Sequence, residues 1–302
     1  MIDPLKNPPS GWIILDKPHG LGSTQAVAAV KRNLREAGYG KKVRVGHGGT
    51  LDPLATGILP IAVGEATKLA GRMLDASKEY AFTVQFGAET DTLDLEGEVV
   101  ARCDAVPSCA AVEAILPQFT GPINQVPPAF SALMVDGERA YDLARRGEAV
   151  ALKSRAVTIY RLVLTEAGPD WATLVAHVSK GTYIRSLARD IARALGSLGH
   201  VTMLRRLRAG PFGLGQAISL DKLNEVGKGA PLENVILPLE AGLVDIPALD
   251  LGPEQARAVQ QGRVLTGQAF ADGLYWARLG TVPIALVQLS DGHLTVERGF
   301  NL

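Results

Sequence analysis

Gly46-His47-Gly48-Gly49-Thr50-Leu51-Asp52-Pro53-Leu54-Ala55-Thr56-Gly57-Ile58-Leu59-Pro60 brings glycines, prolines and a single acidic residue into one short run. Gly48 and Gly49 let another stretch of backbone approach closely. Pro53 steers Asp52 away from helical angles into an extended conformation, so its carboxylate is expected to project from a fixed loop. A loop between two regular elements is a natural place for chemistry. Read locally, Asp52 can also be the cap of a short helix that Pro53 begins, and the local sequence alone leaves both readings open.

On the N-terminal side, residues 11–16 read as a buried strand that runs into the turn Lys17-Pro18-His19-Gly20. Ser23 is expected to cap a helix whose Ala26, Val27, Val30 and Leu34 share one face, ending near Gly38. On the C-terminal side, residues 58–63 form a short apolar strand. Residues 80–87 alternate, with Phe82, Val84 and Phe86 on one face, and residues 157–165 and 171–178 behave alike. After Ser179-Lys180-Gly181-Thr182, apolar Ile184, Leu187, Ala188, Ile191 and Leu195 recur at helical spacing, with Thr182 as the expected N-cap. Arg185, Arg189 and Arg193 form a basic stripe on the other face of that helix. Strands that recur with few helices between them indicate a mixed α+β sheet and not a repeating βαβ array. From about residue 240, the runs 274–278, 284–288 and 293–297, separated by Gly, Pro and Asp, read as a small β-rich unit.

The 302 residues carry 31 Lys+Arg against 31 Asp+Glu, and 47% of positions are apolar. Bulk disorder is excluded. The longest apolar runs fall far short of the roughly 20 residues that span a bilayer. The start, Met1-Ile2-Asp3-Pro4-Leu5-Lys6, lacks the basic segment and apolar core of an export signal. Two cysteines, Cys103 and Cys109, make no disulfide framework or metal pattern, and a cytoplasmic location is expected. The zero net charge hides segregation. Residues 1–80 hold 11 basic and 7 acidic side chains, 81–136 hold 1 and 8, 137–210 hold 13 and 6, and 211–302 hold 6 and 10. Two basic stretches alternate with two acidic ones, which permits a polyanionic partner without requiring it.

Several chemistries are disfavoured. His19, His47, His177, His200 and His293 show no metal-ligand spacing, and no metal site is expected. Neither Gly46-His47-Gly48-Gly49 nor Ser179-Lys180-Gly181-Thr182 matches a nucleotide-binding fingerprint. No Gly-x-Ser-x-Gly elbow occurs. Asp91, Asp94 and Glu96 have the wrong spacing for a calcium loop and read as a solvated acidic hairpin.

The run from Gly46 to Pro60, followed by Gly64-Glu65-Ala66-Thr67-Lys68, closely resembles the catalytic motif of the TruB family of tRNA pseudouridine-55 synthases. Three further blocks agree in order: Gly11-Trp12-Ile13-Ile14-Leu15-Asp16-Lys17-Pro18, Lys78-Glu79-Tyr80, and Ser179-Lys180-Gly181-Thr182-Tyr183-Ile184-Arg185. The resemblance spans residues 11 to about 210. It implies a mixed, largely antiparallel pseudouridine synthase catalytic domain over residues 9–240, with a basic insertion at about 130–155. Less closely, residues 241–302 resemble the small PUA-like RNA-binding domain of bacterial members. Gly48 stands where many relatives have Thr, and Leu21-Gly22-Ser23 replaces a commoner Ser-rich turn.

Carried over by position, the resemblance makes Asp52 the nucleophile that forms a transient adduct with the target uridine, at C6 of the base or C1′ of the ribose. Tyr80 is implied to pack on the flipped uracil and to take part in proton handling at C5. Arg185 is implied to pair with Asp52 and keep it ionised. Tyr183 and Leu204 are implied to line the uracil pocket, His47 to lie near the flipped nucleotides, and Lys17, in the first block, to contact substrate. No cofactor is implied, and the partner is the T-arm stem-loop of tRNA, with no obligate protein partner and a monomeric enzyme.

Extrusion of a base costs a few kcal/mol, and phosphate contacts must offset it. Candidates are Lys41, Lys42 and Arg44, the arginine stripe, Arg205, Arg206 and Arg208, and a clamp over residues 136–155 with Arg139, Arg145, Arg146, Lys153 and Arg155. Two other classes are weighed beside the enzyme. A non-enzymatic module that opens and refolds tRNA would use the same basic surfaces, and this role can also accompany catalysis. A carboxylate-nucleophile hydrolase needs a second acid/base carboxylate beside Asp52, for which Asp16 is a poor candidate.

Overall fold

The first strand has almost no solvent face. In β1 (Gly11–Lys17), Trp12, Ile13, Ile14 and Leu15 are all buried, as expected of an apolar run without alternation that is covered on both sides. It pairs antiparallel with β2 (Thr56–Val63), Lys17 standing opposite Gly57. The computed structural model describes residues 9–131, 133–135, 137–148, 152–229 and 232–302. Residues 1–8, where an export signal would stand, and residues 132, 136 and 149–151 of the insertion lie outside the described residues.

The main sheet continues through β3 (Lys78–Phe86), β4 (Gly121–Gln125), β5 (Arg155–Ala167), β6 (Trp171–Val178) and β7 (Gly199–Ala209). Its spatial order is β1-β2-β7-β3-β6-β5-β4, with the short strand Ile218–Ser219 outside β1. The β2–β7 pairing and the pairing of Ile218–Ser219 with β1 are parallel; the others along this path are antiparallel. The fold is therefore α+β with a mixed, largely antiparallel sheet.

Two of the helices that cover the sheet frame its two main clusters. Helix α1 (Ser23–Glu36) buries Ala26, Val30 and Leu34 against Ile13, Leu15, Leu59 and Ile61. Helix α2 (Ile184–Ala194) buries Ile184, Leu187, Ala188 and Ile191 against Phe82, Val84, Leu174 and Ala176. Tyr80 and Leu204 pack against both clusters and so mark the seam between them. Both expected caps differ from the structure. Gly22 is the N-cap of α1, and Ser23 is its first residue, its hydroxyl turned to the backbone of Leu51. Tyr183 is the N-cap of α2, while the Thr182 hydroxyl donates to the Ser179 carbonyl. In each case the hydroxyl is engaged by loop backbone and accepts no helix N–H.

The C-terminal sheet runs β8 (Ala248–Asp250), β9 (Gly273–Leu279), β10 (Val282–Ser290) and β11 (His293–Gly299) in that order, covered by the helix Pro253–Gln260. The three expected runs are β9, β10 and β11. Leu249, Ala277, Val287 and Leu294 belong to a core of its own. Leu286 and Phe300 instead join Trp12, Ile58 and Leu239 on the opposite face of the main sheet. Asn301 N–H donates to Glu65 Oε2 at 2.7 Å, and Lys68 Nζ donates to the Gly299 carbonyl at 2.8 Å. The C-terminal sheet is thus seated on the main sheet through shared apolar packing.

Where β2 meets β7, Gly57 lies opposite Arg206 with φ +99°, and a Cβ there would overlap the Arg206 carbonyl oxygen. The close parallel approach requires glycine on both steric and conformational grounds. Gly57→Ala is expected to destabilise the fold by about 3 kcal/mol or more, read as a lowered midpoint in urea with an unchanged m-value.

Candidate active site

Residues 48–55 leave the short strand Val45–His47 and return into β2. No helix follows Pro53; the Asp52 carbonyl accepts from Ala55 N–H at 3.1 Å, which closes a turn. Three buried groups fix this loop from below. The Ser23 hydroxyl bridges Leu51, donating to its carbonyl at 3.0 Å and accepting its N–H at 2.9 Å. Lys17 Nζ donates to the carbonyls of Pro53 (3.0 Å), Leu21 (2.6 Å) and Pro18 (3.1 Å). Arg206, 1% exposed, donates to the carbonyls of Ile58 (2.6 Å), Gly49 (3.0 Å) and Thr50 (3.3 Å). Met73 accounts for the glycine at 48, because a Cβ there would stand 2.5 Å from Met73 Cβ.

The Asp52 carboxylate meets Arg185, whose Nε is 3.0 Å from Asp52 Oδ2. Arg185 is 6% exposed, and a buried guanidinium needs its donors occupied. Nη1 faces Asp94 Oδ2 at 3.3 Å and donates to the Thr92 carbonyl at 2.7 Å, while Nη2 donates to the Phe130 carbonyl at 2.9 Å. Asp94 is itself held by the Thr92 hydroxyl (2.6 Å) and Glu96 N–H (2.9 Å). The reading of this segment as a solvated hairpin is therefore corrected: Asp94 is buried and shares Arg185 with Asp52. The carboxyl of Glu96 is pushed above its ordinary range by burial and then by the charges of Asp94 and Asp52.

Asp52, Tyr80, Tyr183, Arg185 and Leu204 line one cleft of about 320 Å³, within the range of small-ligand sites. Tyr80 enters from β3, Leu204 and Arg206 from β7, and Tyr183 and Arg185 from the start of α2. Tyr183 is braced by Gln125, fully buried, whose side-chain amide accepts the Tyr183 N–H (2.8 Å) and donates to its carbonyl (3.0 Å). The Asp52 side chain keeps 38% of its surface exposed, so the cleft is open in the free protein.

Two expected substrate contacts stand outside this lining. Lys17 is fully buried with all three donors on carbonyls, a role of holding the loop. Burial lowers its ammonium to about 8, the Asp52 charge opposing and the Arg206 charge adding to the shift. His47 is half-buried and its Nδ1 accepts from Gly49 N–H at 3.3 Å, which leaves the proton on Nε2. Burial and the Arg206 charge hold its pKa below the ordinary value, which favours a neutral ring.

The arginine stripe does not form a solvent-facing row. Arg185 is buried, Arg189 pairs with Asp190 and donates to the Val126 carbonyl, and Arg193 holds both oxygens of Glu89. Arg205 is likewise engaged, with Asp16 at 2.7 and 3.0 Å, which also removes Asp16 as a second catalytic carboxylate. In the insertion Arg146 lies between Glu138 and Glu148, whereas Arg139, Arg145 and Lys153 are exposed. A larger hollow of about 530 Å³ lies among Arg72, Ser77, Arg208 and Asp245, but its charges pair locally, Arg72 with Asp245 and Asp75 with Lys180. Among the described residues no cluster of His, Cys, Asp or Glu could hold a metal, and no helix is long and apolar enough to cross a membrane.

Sequence reasoning missed Gln125, took Asp94 for solvated, and gave Arg206 a phosphate contact where the structure gives it the carbonyls of the loop. One signal was available for Arg206. If Leu204 faces the pocket, strand periodicity puts the residue two positions on at the same face.

Residues 35–184 match the TruB family pseudouridylate synthase N-terminal domain, and residues 185–244 match the tRNA pseudouridylate synthase B C-terminal domain. The tRNA pseudouridine synthase B of Novosphingobium aromaticivorans is 75% identical over 97% of both chains. That of Zymomonas mobilis is 56% identical over 96% of both. Among solved structures, a chain of a Cbf5-Nop10-Gar1 complex superposes with a TM-score of 0.72 at 26% identity, covering 96% of this chain and 85% of that one. A chain of an H/ACA RNP bound to a substrate RNA containing 2′-deoxyuridine shares the fold, with a TM-score of 0.71 at 24% identity, covering 97% and 85%. By these matches along nearly its whole length, the chain belongs to the TruB family of tRNA pseudouridine synthases, enzymes that isomerise uridine in tRNA.

Proposed function

We propose that this chain converts uridine-55 in the T-arm of tRNA to pseudouridine, taking the uridine out of the stack into the cleft and using Asp52 as nucleophile. The observation that carries the reading is the Asp52 carboxylate on the cleft floor, 3.0 Å from a buried arginine and walled by Tyr80, Tyr183 and Leu204. The N1–C1′ bond breaks, the uracil turns, and C5 joins C1′. C5 loses a proton and N1 gains one, so atoms balance and no cofactor is consumed. Attack at C6 or at C1′ asks the same of Asp52. Tyr80 packs on the ring and is placed to serve the proton at C5. The base itself closes the open cleft and excludes water from the carboxylate.

Exposed Lys41, Lys42 and Arg44 beside the loop, with Arg139, Arg145 and Lys153 in the insertion, form no ion pair of the stripe's kind among the described residues and supply phosphate contacts that offset flipping. Residues 9–240 act as the catalytic domain and 241–302 as a PUA-like RNA-binding domain, in a monomer working in the cytoplasm without an obligate protein partner.

Asp52→Asn should reduce pseudouridine in the T-arm to background while tRNA affinity changes by less than about threefold. Retained isomerisation would sink the nucleophile assignment. A tRNA-folding contribution, where present, survives in this variant and is read by refolding of unmodified tRNA. Asp94→Asn leaves Arg185 with one carboxylate fewer and should lower kcat about tenfold or more, with KM nearly unchanged. A change confined to KM would show that Asp94 shapes binding instead.

Lys17 also gives a pH dependence with two signs. Above about pH 8 its ammonium loses a proton, the three carbonyls face fewer donors, and kcat/KM should fall. Global stability moves the other way. The folded pKa is about 8, below the ordinary lysine value of 10.5, so between these values the unfolded chain binds more protons and the Lys17 contribution rises with pH. Initial rates and urea midpoints measured from pH 7 to 10 check both; a kcat/KM flat to pH 10 would show that the loop does not need the charge.

A further inference from the structure

Four cationic side chains line the cleft: Lys78, Arg155, Arg185 and Arg206. In three of them every side-chain nitrogen has a partner. Lys78 Nζ donates to the carbonyls of Met73, Leu74 and Ala76. Arg185 is taken up by Asp52, Asp94 and two carbonyls, and Arg206 by three carbonyls. Arg155 differs, because its Nε and Nη2 are buried without a hydrogen-bond partner among the described residues.

The position is a braced one. Arg155 opens β5 opposite Gln125, the residue that grips the backbone of Tyr183. Its guanidinium carbon lies 4.7 Å from the centroid of the Tyr183 ring, a cation–π stack. Nε and Nη2 share one edge of the guanidinium. In Arg193 that edge holds the two oxygens of Glu89 at 3.0 and 2.7 Å, and in Arg278 those of Asp250 at 2.7 and 3.3 Å. It suits an anion that presents two oxygens, as a carboxylate or a phosphodiester does. Two donors kept from water without an acceptor are unfavourable, so the edge is disposed to turn toward one. The uracil that enters the cleft is neutral; the anionic groups that arrive with it are the phosphodiesters flanking the flipped nucleotide.

We propose that Arg155 is a substrate-binding residue, its Nε–Nη2 edge taking two oxygens of a phosphodiester next to the flipped uridine. This rests on the reading that the cleft accepts a flipped nucleotide. The edge is covered in the free protein, and capture includes a rotation of the guanidinium that uncovers it. Stacked on Tyr183, Arg155 then links capture of the backbone to placement of a ring that lines the base pocket.

The test is a double cycle on the full chain. T-arm stem-loop RNAs carry a single neutral methylphosphonate 5′ or 3′ of the target uridine, and their affinity is measured with wild type and Arg155→Gln. One of the two replacements should weaken wild-type binding about tenfold and Arg155→Gln by less than about twofold, because both changes remove the same contact. The slope of log K against log salt should fall by about 0.7 in Arg155→Gln. Equal methylphosphonate penalties in both proteins, or an unchanged slope with a loss confined to kcat, would overturn the proposal and leave Arg155 as a support for Tyr183. Should Arg155→Gln fail to fold, Arg155→Lys, which keeps the charge and lacks the edge, takes its place in the methylphosphonate cycle. Wild-type conversion of the unmodified stem-loop is scored separately. Binding without pseudouridine would refute the proposed activity while the cycle still reads Arg155.

Discussion

A guanidinium cannot be kept inside a protein unless nearly all its donors are met, and the site is arranged around meeting those of Arg185. Asp52, Asp94 and the carbonyls of Thr92 and Phe130 come from three separate segments, and α2 supplies the arginine at its first turn. Asp52 is held at the cleft floor by a charge that has no alternative solvent-exposed position. Removing one member leaves the rest uncompensated, which typically costs about 3–5 kcal/mol for a buried pair. The same arrangement that orients the carboxylate also joins the acidic hairpin to the helix.

This pairing explains how the net charge of zero is distributed in space. The acidic stretch 81–136 supplies Glu89 and Asp94, and the basic stretch 137–210 supplies Arg193 and Arg185, and they meet. Much of the arginine that sequence suggests for RNA is consumed inside the protein. Arg205 is bound to Asp16 and Arg206 to the catalytic loop. Of the candidates that the sequence suggests for RNA, the exposed set beside the loop and on the insertion remains, which is smaller than a count of basic residues implies. Recognition is then governed by shape and a few placed contacts.

The strands and the catalytic loop were legible because their signals are local: uninterrupted apolar runs for β1, alternation for β3 and β6, and the Gly-Gly and Asp-Pro steps. The gathering of Asp52, Tyr80, Tyr183, Arg185 and Leu204 was legible only through family resemblance, since they come from four separate stretches of chain. Asp94 was not legible. A carboxylate in an acidic hairpin looks solvated until its distant arginine is known, and nothing within that segment points to residue 185. The caps failed for a related reason. Ser23 and Thr182 have the right chemistry for a helix N-terminus, yet Ser23 is engaged by Leu51 in a loop that only the tertiary fold brings near, and Thr182 by Ser179 within its own turn.

Arg205 and Arg206 show what register adds to composition. Adjacent residues on a strand face opposite sides, so one of two arginines must point into the cleft and the other away. The pairing of β7 with β3 sets Arg206 opposite Tyr80 and Leu204 opposite Phe82, and Leu204, Arg206 and Tyr80 all reach the cleft lining. A slip by one residue would bring Arg205 inward in place of Arg206, exchanging the clamp on the carbonyls of Gly49, Thr50 and Ile58 for a side chain that now binds Asp16. Gly57 protects against that slip. Its missing side chain lets β2 approach β7 only where Arg206 presents its backbone, so the register of the sheet, the support of the loop and the position of Asp52 follow from one close contact.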